Sequence, residues 1–258
     1  MGSTRGPSTS GGTALPRRWG RRQPGDRVLV GATLALGAPL LRSALLAPRG
    51  QATFRHRAAA LAATWAAGGV AGGQLAPGLW AVRSHQDLRG RVLVPAATAA
   101  GTVAVFGAGA AVVSRVPFLR AEIETVLAHA TRGPFVPATA LALVTGAGEE
   151  LFFRGTLHDV VERAGLPTTS TTTAVYAVTT CATGNPLLVL ASALLGVLTG
   201  RERNRTDSLL APTLVHLGWS LGMIVVLPRI TARSQARSTA RDRARPVRRG
   251  PSDVEETL

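Results

Sequence analysis

The stretch Glu149-Glu150-Leu151-Phe152-Phe153-Arg154 closes the apolar run from Phe135 to Gly146, and these adjacent carboxylates with their arginine constrain the chain more than any other feature. An ionisable side chain at the centre of a bilayer costs about 2.5–3.5 kcal/mol on insertion scales, so such residues face the inside of a helix bundle and mark function. The flanking sequence supplies the membrane context. Its 46% hydrophobic content comes mainly from Ala, Val and Leu gathered into long blocks, which short Arg-bearing stretches separate. That is the pattern of a polytopic helical membrane protein and not of a soluble core.

Seven apolar segments are read as spans: Val28 to Leu46, Ala58 to Leu79, Val92 to Val113, Pro134 to Phe153, Thr169 to Thr183, Pro186 to Thr199 and Leu209 to Leu227. Between the third and fourth, Leu119, Ile123, Val126, Leu127 and Ala130 recur at helical spacing, while Arg120, Glu122 and Glu124 take the other side. This predicts an amphipathic helix lying in the membrane interface. The expected fold is all-α, a membrane helix bundle of about seven spans. Its parts are a disordered Arg-rich tail over 1–27, three helices over 28–116, the interfacial helix over 117–133, a four-helix core over 134–227 and a second disordered Arg-rich tail over 228–258. The first apolar run is read as an uncleaved membrane helix, because no small-x-small cleavage pattern follows it.

The 29 basic residues are all arginine, read as the codon usage of a GC-rich bacterium, and the net charge is +15. The arginines fall in the tails and between apolar blocks, where they anchor helices and meet anionic lipid headgroups; nucleic acid is not an expected partner. They divide evenly between the two faces of a seven-span bundle, so charge does not orient it. Cys181 stands alone, which excludes an internal disulfide and a structural thiolate zinc site. The expected location is the plasma membrane of a bacterium.

On a helix Glu150 and Arg154 are four residues apart and share a face, so an ion pair reduces the cost of burying both. Glu149 lies about 100° round the helix with no basic neighbour in its own segment, a placement that suits a general base or acid. In the last span His216 shares a face with Ser220, and in the fifth Tyr176 shares one with Thr180. Gly68, Gly69, Gly72 and Gly73, like Gly196 and Gly200, are spaced for close helix approach. His158, two turns past Glu150, is read as a surface residue, and His56, His85 and His129 as loop or interfacial residues.

Glu149-Glu150 with Arg154, continuing into Gly155 and Leu157, resembles the first motif, Glu-Glu-x-x-x-Arg, of the CAAX-protease and bacteriocin-processing family of intramembrane peptidases. The run Ser208 to His216 is similar to the approach to that family's last motif, His-x-x-x-Asn, with Gly196 and Gly200 placed like the glycines of the intervening helix. Two positions depart from the pattern: Tyr176 and Thr180 stand at the second motif, Phe-x-x-x-His, and Ser220 replaces the asparagine. The resemblance implies hydrolysis of a peptide or membrane-protein substrate by water that Glu149 activates. It implies that His216 stabilises the oxyanion, holds the water or joins in binding a divalent metal such as zinc, and that Glu150 and Arg154 shape the site. The missing histidine leaves a second reading open, a catalytically impaired member that binds membrane partners. A third, a proton-relaying transporter, would need internal repeats that the sequence lacks.

Overall fold

The computed structural model describes residues 24–48, 52–80, 89–131 and 134–243, and among them the chain is helical with no strand. In order these are α1 (Pro24–Leu45), α2 (Ala52–Ala71), a one-turn α3 (Pro77–Trp80), α4 (Val94–Val113) behind a π-helical turn Arg89–Leu93, and α5 (Pro117–Thr131). Next comes one continuous rod made of α6 (Phe135–Glu150), a π-helical segment Leu151–Thr156 and α7 (Leu157–Arg163). The chain ends in α8 (Thr168–Thr180), α9 (Pro186–Thr206) and α10 (Leu210–Arg243).

Four of the seven expected spans coincide with helices long and apolar enough to cross a membrane: Gly25–Leu45, Val94–Val113, Phe135–Arg163 and Leu210–Ala232. The other three apolar segments are helical but fall short, each for its own reason. The second breaks after Ala71 at Gly73, whose φ of 80° turns the chain, and α2 opens on Arg55, His56 and Arg57. The fifth has only 13 helical residues, about 20 Å at 1.5 Å per residue against a hydrocarbon core of about 30 Å. The sixth ends in Arg201-Glu202-Arg203-Asn204-Arg205, which the helix carries through to Thr206.

Residues 1–23 and 244–258 of the expected tails lie outside the described residues. The described parts differ from those boundaries: α1 already begins at Pro24, and α10 runs past Leu227 to Arg243. α5 forms where the amphipathic pattern put a helix, burying Ile123 and Ala128, with Arg120 and Glu124 paired at 3.8 Å on its exposed side.

The glycine spacings have a packing meaning. A Cβ on Gly69 would stand 2.5 Å from Leu151 Cβ and 3.0 Å from its backbone carbonyl carbon, one on Gly68 would meet Thr33, and one on Gly72 would meet Thr156, so α2 lies directly against the π-helical segment. Gly196 and Gly200 let α9 approach Thr173 and Thr169 of α8 in the same way. At the centre, Trp65 of α2 stacks on Phe152 and packs at a tilt against Phe153, with ring centroids 5.3 and 5.2 Å away, and Phe153 reaches Tyr176 at 4.6 Å. This aromatic block fixes the rod's rotation, and with it the direction of the carboxylates next to it.

Candidate active site

Glu149 and Glu150 end α6 where the backbone widens into the π-helical segment, a feature that recurs at functional sites because it re-aims side chains. Gly146 and Gly148 just before them clear the space on both sides. A Cβ on Gly146 would lie 3.3 Å from the His216 ring, and one on Gly148 would lie 3.1 Å from the Ala62 carbonyl oxygen of α2. The result is a carboxylate pair almost sealed from solvent, with Glu150 at 0% and Glu149 at 9% relative exposure.

His216 of α10 sits between them. Its Nδ1 lies 2.7 Å from Glu150 Oε1, and because a carboxylate accepts, this ring nitrogen is the donor. Nε2 then faces Glu149 Oε2 at 3.8 Å. Arg154 Nη1 donates to the same Glu150 Oε1 at 3.2 Å, making the expected i,i+4 ion pair with both side chains at 0% exposure. Breaking a buried pair of this kind by removing one partner costs about 3–5 kcal/mol.

Tyr176 enters from α8. Its hydroxyl donates to Glu149 Oε2 at 2.5 Å, and the Arg154 guanidinium lies 4.9 Å from its ring centroid. Thr180, one turn on, is turned to local use: its hydroxyl donates to the Tyr176 carbonyl at 2.9 Å, the back-bonding typical of threonine in helices. Ser220, one turn beyond His216, is half-buried. Glu150 Oε2 and Arg154 Nε and Nη2 are buried without a hydrogen-bond partner among the described residues, so polar capacity remains for a ligand.

The structure therefore brings Glu149, Glu150, Arg154, Tyr176 and His216 together from the continuous rod, α8 and α10. It corrects the reading of His158, which is buried and whose Nε2 lies 2.8 Å from Asn204 Oδ1. Distance along the helix does not report on neighbouring helices, and α9 covers that face through Asn204. His56 lies in the first turns of α2 and not in a loop, and His129 lies in α5; His85 is outside the described residues. Sequence reasoning missed Arg203, a buried arginine of α9 whose Nε donates to the Arg154 carbonyl at 3.1 Å, supporting the widened backbone beside the carboxylates. It also missed Gln74 and Trp65. The charged run around Arg203 falls between the sixth and seventh apolar segments, and no signal in the sequence turns one of its arginines inward.

Fold and site together define an integral membrane helix bundle with a buried carboxylate, imidazole and phenol cluster. Residues 131–222, roughly a third of the chain, match the model of the family described as type II CAAX prenyl endopeptidase Rce1-like. That segment holds every candidate site residue and agrees with the resemblance carried by Glu149, Glu150 and Arg154. No curated protein and no solved structure matches the chain.

Proposed function

We propose that this protein is an intramembrane endopeptidase in which Glu149 activates the attacking water. The observation that carries the reading is the meeting of Glu149 on α6, Tyr176 on α8 and His216 on α10 in a buried, nearly solvent-free cluster. The gap of 3.8 Å between His216 Nε2 and Glu149 Oε2 is too long for a direct hydrogen bond and suits one water bridging them at about 2.8 Å from each. Glu149 takes the proton as the water oxygen attacks the peptide carbonyl carbon, and returns it to the departing amide nitrogen; the new carboxyl group passes its remaining proton to the amine, leaving a carboxylate and an ammonium group. Glu150 holds His216 through Nδ1 and so keeps Nε2 turned to the reacting atoms, while Arg154 balances the charge of Glu150.

The donor set does not fit a single metal ion at this site. Glu150 and Glu149 address opposite nitrogens of the His216 ring, so the three groups do not converge on one point, and no step of the proposed reaction runs through a metal. The substrate class is a membrane-associated peptide, with prenylated C-terminal peptides as the first to test given the family match. We place α5 in the interface, and the protein in a bacterial plasma membrane, on the composition of the sequence.

The test is cleavage of prenylated and unprenylated peptides by the detergent-purified chain, read by mass spectrometry. Glu149→Gln is expected to abolish cleavage with an unchanged melting temperature; an unchanged rate rejects Glu149 as the base. One observation favours a second reading, a binding protein without turnover: the Thr180 hydroxyl is spent on the backbone, so nothing replaces the second-motif histidine. An inactive wild type that gains hydrolysis with Thr180→His would support it.

A further inference from the structure

With a water held between His216 and Glu149, one requirement of the reaction still has no group assigned to it. The carbonyl oxygen of the attacked peptide gains negative charge in the transition state, and in a buried site that charge needs a hydrogen-bond donor already in place. His216 does not supply it. Its Nδ1 carries the proton that goes to Glu150 Oε1 at 2.7 Å, so Nε2 of the neutral ring is an acceptor, fit to hold the water and not to face an oxyanion. The Tyr176 hydroxyl is spent on Glu149 Oε2. Arg154 gives Nη1 to Glu150, and its Nη2 lies 3.3 Å from where a Gly196 Cβ would stand, turned to α9.

We propose that the indole N–H of Trp219 donates to this carbonyl oxygen, an inference that rests on the peptidase reading. Trp219 lies three residues past His216 on α10, and helical side chains fold back over the preceding turn. Its ring accordingly meets the imidazole edge to face, with centroids 6.1 Å apart. Nε1 is buried without a hydrogen-bond partner. Indole nitrogen is a donor only and takes an acceptor when buried, so the site holds an idle donor beside the ring that holds the water. The water oxygen, about 2.8 Å from Nε2, bonds to the carbonyl carbon in the attack, and the oxygen that gains charge therefore lies beside the same imidazole.

Two neighbours suit the indole to this task. Phe106 of α4 meets it edge-on, with ring centroids 5.3 Å apart, and braces it on the side of α4. Gly146 leaves room for the substrate, since a Cβ there would lie 3.3 Å from both Nε2 and Cδ2 of His216. Ser220, the next residue along, stands where the resembling pattern has asparagine and carries no amide N–H. An N–H donor one residue away offsets that loss.

The test uses the full chain in detergent, a prenylated peptide and the same peptide with a thioamide at the scissile bond, because sulfur accepts hydrogen bonds more weakly than oxygen. Trp219→Phe keeps a ring between His216 and Phe106 and removes the N–H. It is expected to lower kcat on the ordinary peptide by about 10²–10³ with KM little changed, and to lower the ratio of ordinary to thioamide rates as well. A variant disturbed only in its packing slows on both peptides alike, and the ratio does not depend on how much of it is folded. Wild-type kcat in Trp219→Phe overturns the proposal, and so does a lowered kcat with an unchanged ratio, which makes the indole a packing group. Thr213, one turn before His216, also has a buried hydroxyl without a partner. A ratio that falls in Thr213→Val and not in Trp219→Phe moves the donation to that hydroxyl and overturns the proposal too. A wild type that cleaves neither peptide, or a Glu149→Gln variant with wild-type kcat, rejects the peptidase reading and the indole's role with it. Wild-type kcat in Trp219→Phe beside an inactive Glu149→Gln removes the indole alone.

Discussion

Tyr176 stands where the second motif of the resembling family carries phenylalanine, and its added hydroxyl donates to the carboxylate proposed as the base. Tyr176→Phe keeps the ring beneath Arg154 and against Phe153 while removing that donor, so the variant separates positioning from packing. Loss of one donor at a catalytic centre typically lowers kcat by about 10²–10³. We expect a fall of that order with KM and melting temperature little changed; a wild-type kcat would mean that the hydroxyl only packs. At this scale the sequence was informative where chemistry is local. The spacing of Glu150 and Arg154 put them on one helix face, and their ion pair is present. The Tyr176 bond to Glu149 and the His216 bond to Glu150 were not legible, because they depend on how α8 and α10 are rotated against the rod, and packing between helices sets that.

The element that does most to aim the site is the π-helical segment Leu151–Thr156, and it is held from outside. Thr156 Oγ1 donates to the Gly68 carbonyl at 3.0 Å, Arg203 Nε donates to the Arg154 carbonyl, and Gly69 lets α2 reach Leu151. Gly69→Ala drives a methyl to 2.5 Å from Leu151 Cβ, an overpacking that costs about 1–3 kcal/mol. We expect a lowered melting temperature and reduced cleavage together. Gly109→Ala in α4 serves as control, since its Cβ would meet nothing within 4 Å and the change is expected to be neutral or slightly stabilising. Equal melting of the two variants would mean that α2 does not brace the segment. The sequence made the helices legible through long apolar runs, and the glycine pairs through their spacing. It gave no warning of the widened turn, because hydropathy reports what a residue prefers to face and not how many residues a turn contains. Apolar runs also mark α8 and the first part of α9, and what they do not show is that α8 stops after 13 residues and that α9 continues helical through a charged run.

Across the whole molecule, the segment that resembles a peptidase packs its core against helices that lie outside it. Trp65 of α2, at 1% exposure, forms one face of the aromatic block whose other members, Phe152 and Phe153, lie in the rod. On the opposite flank α10 rests on α4, where a Cβ on Gly218 would stand 2.8 Å from that of Ala99. Removing the first 133 residues would uncover Phe152 and Phe153 on one side of the site and the α4-facing side of α10 on the other. Truncating a single buried aromatic costs about 3–5 kcal/mol, a large share of the stability of a typical domain. A fragment Pro134–Arg243 is therefore expected to show no cooperative melting and no cleavage, although it contains every proposed catalytic group. Co-expression with a fragment of residues 1–133 is expected to restore both, because the contacts between the two parts are side-chain packing and a few hydrogen bonds that separate chains can re-form. Cooperative melting and wild-type cleavage by Pro134–Arg243 alone would show that the first helices are dispensable for the site, and that the rod's rotation is set within the matched segment by α8, α9 and α10.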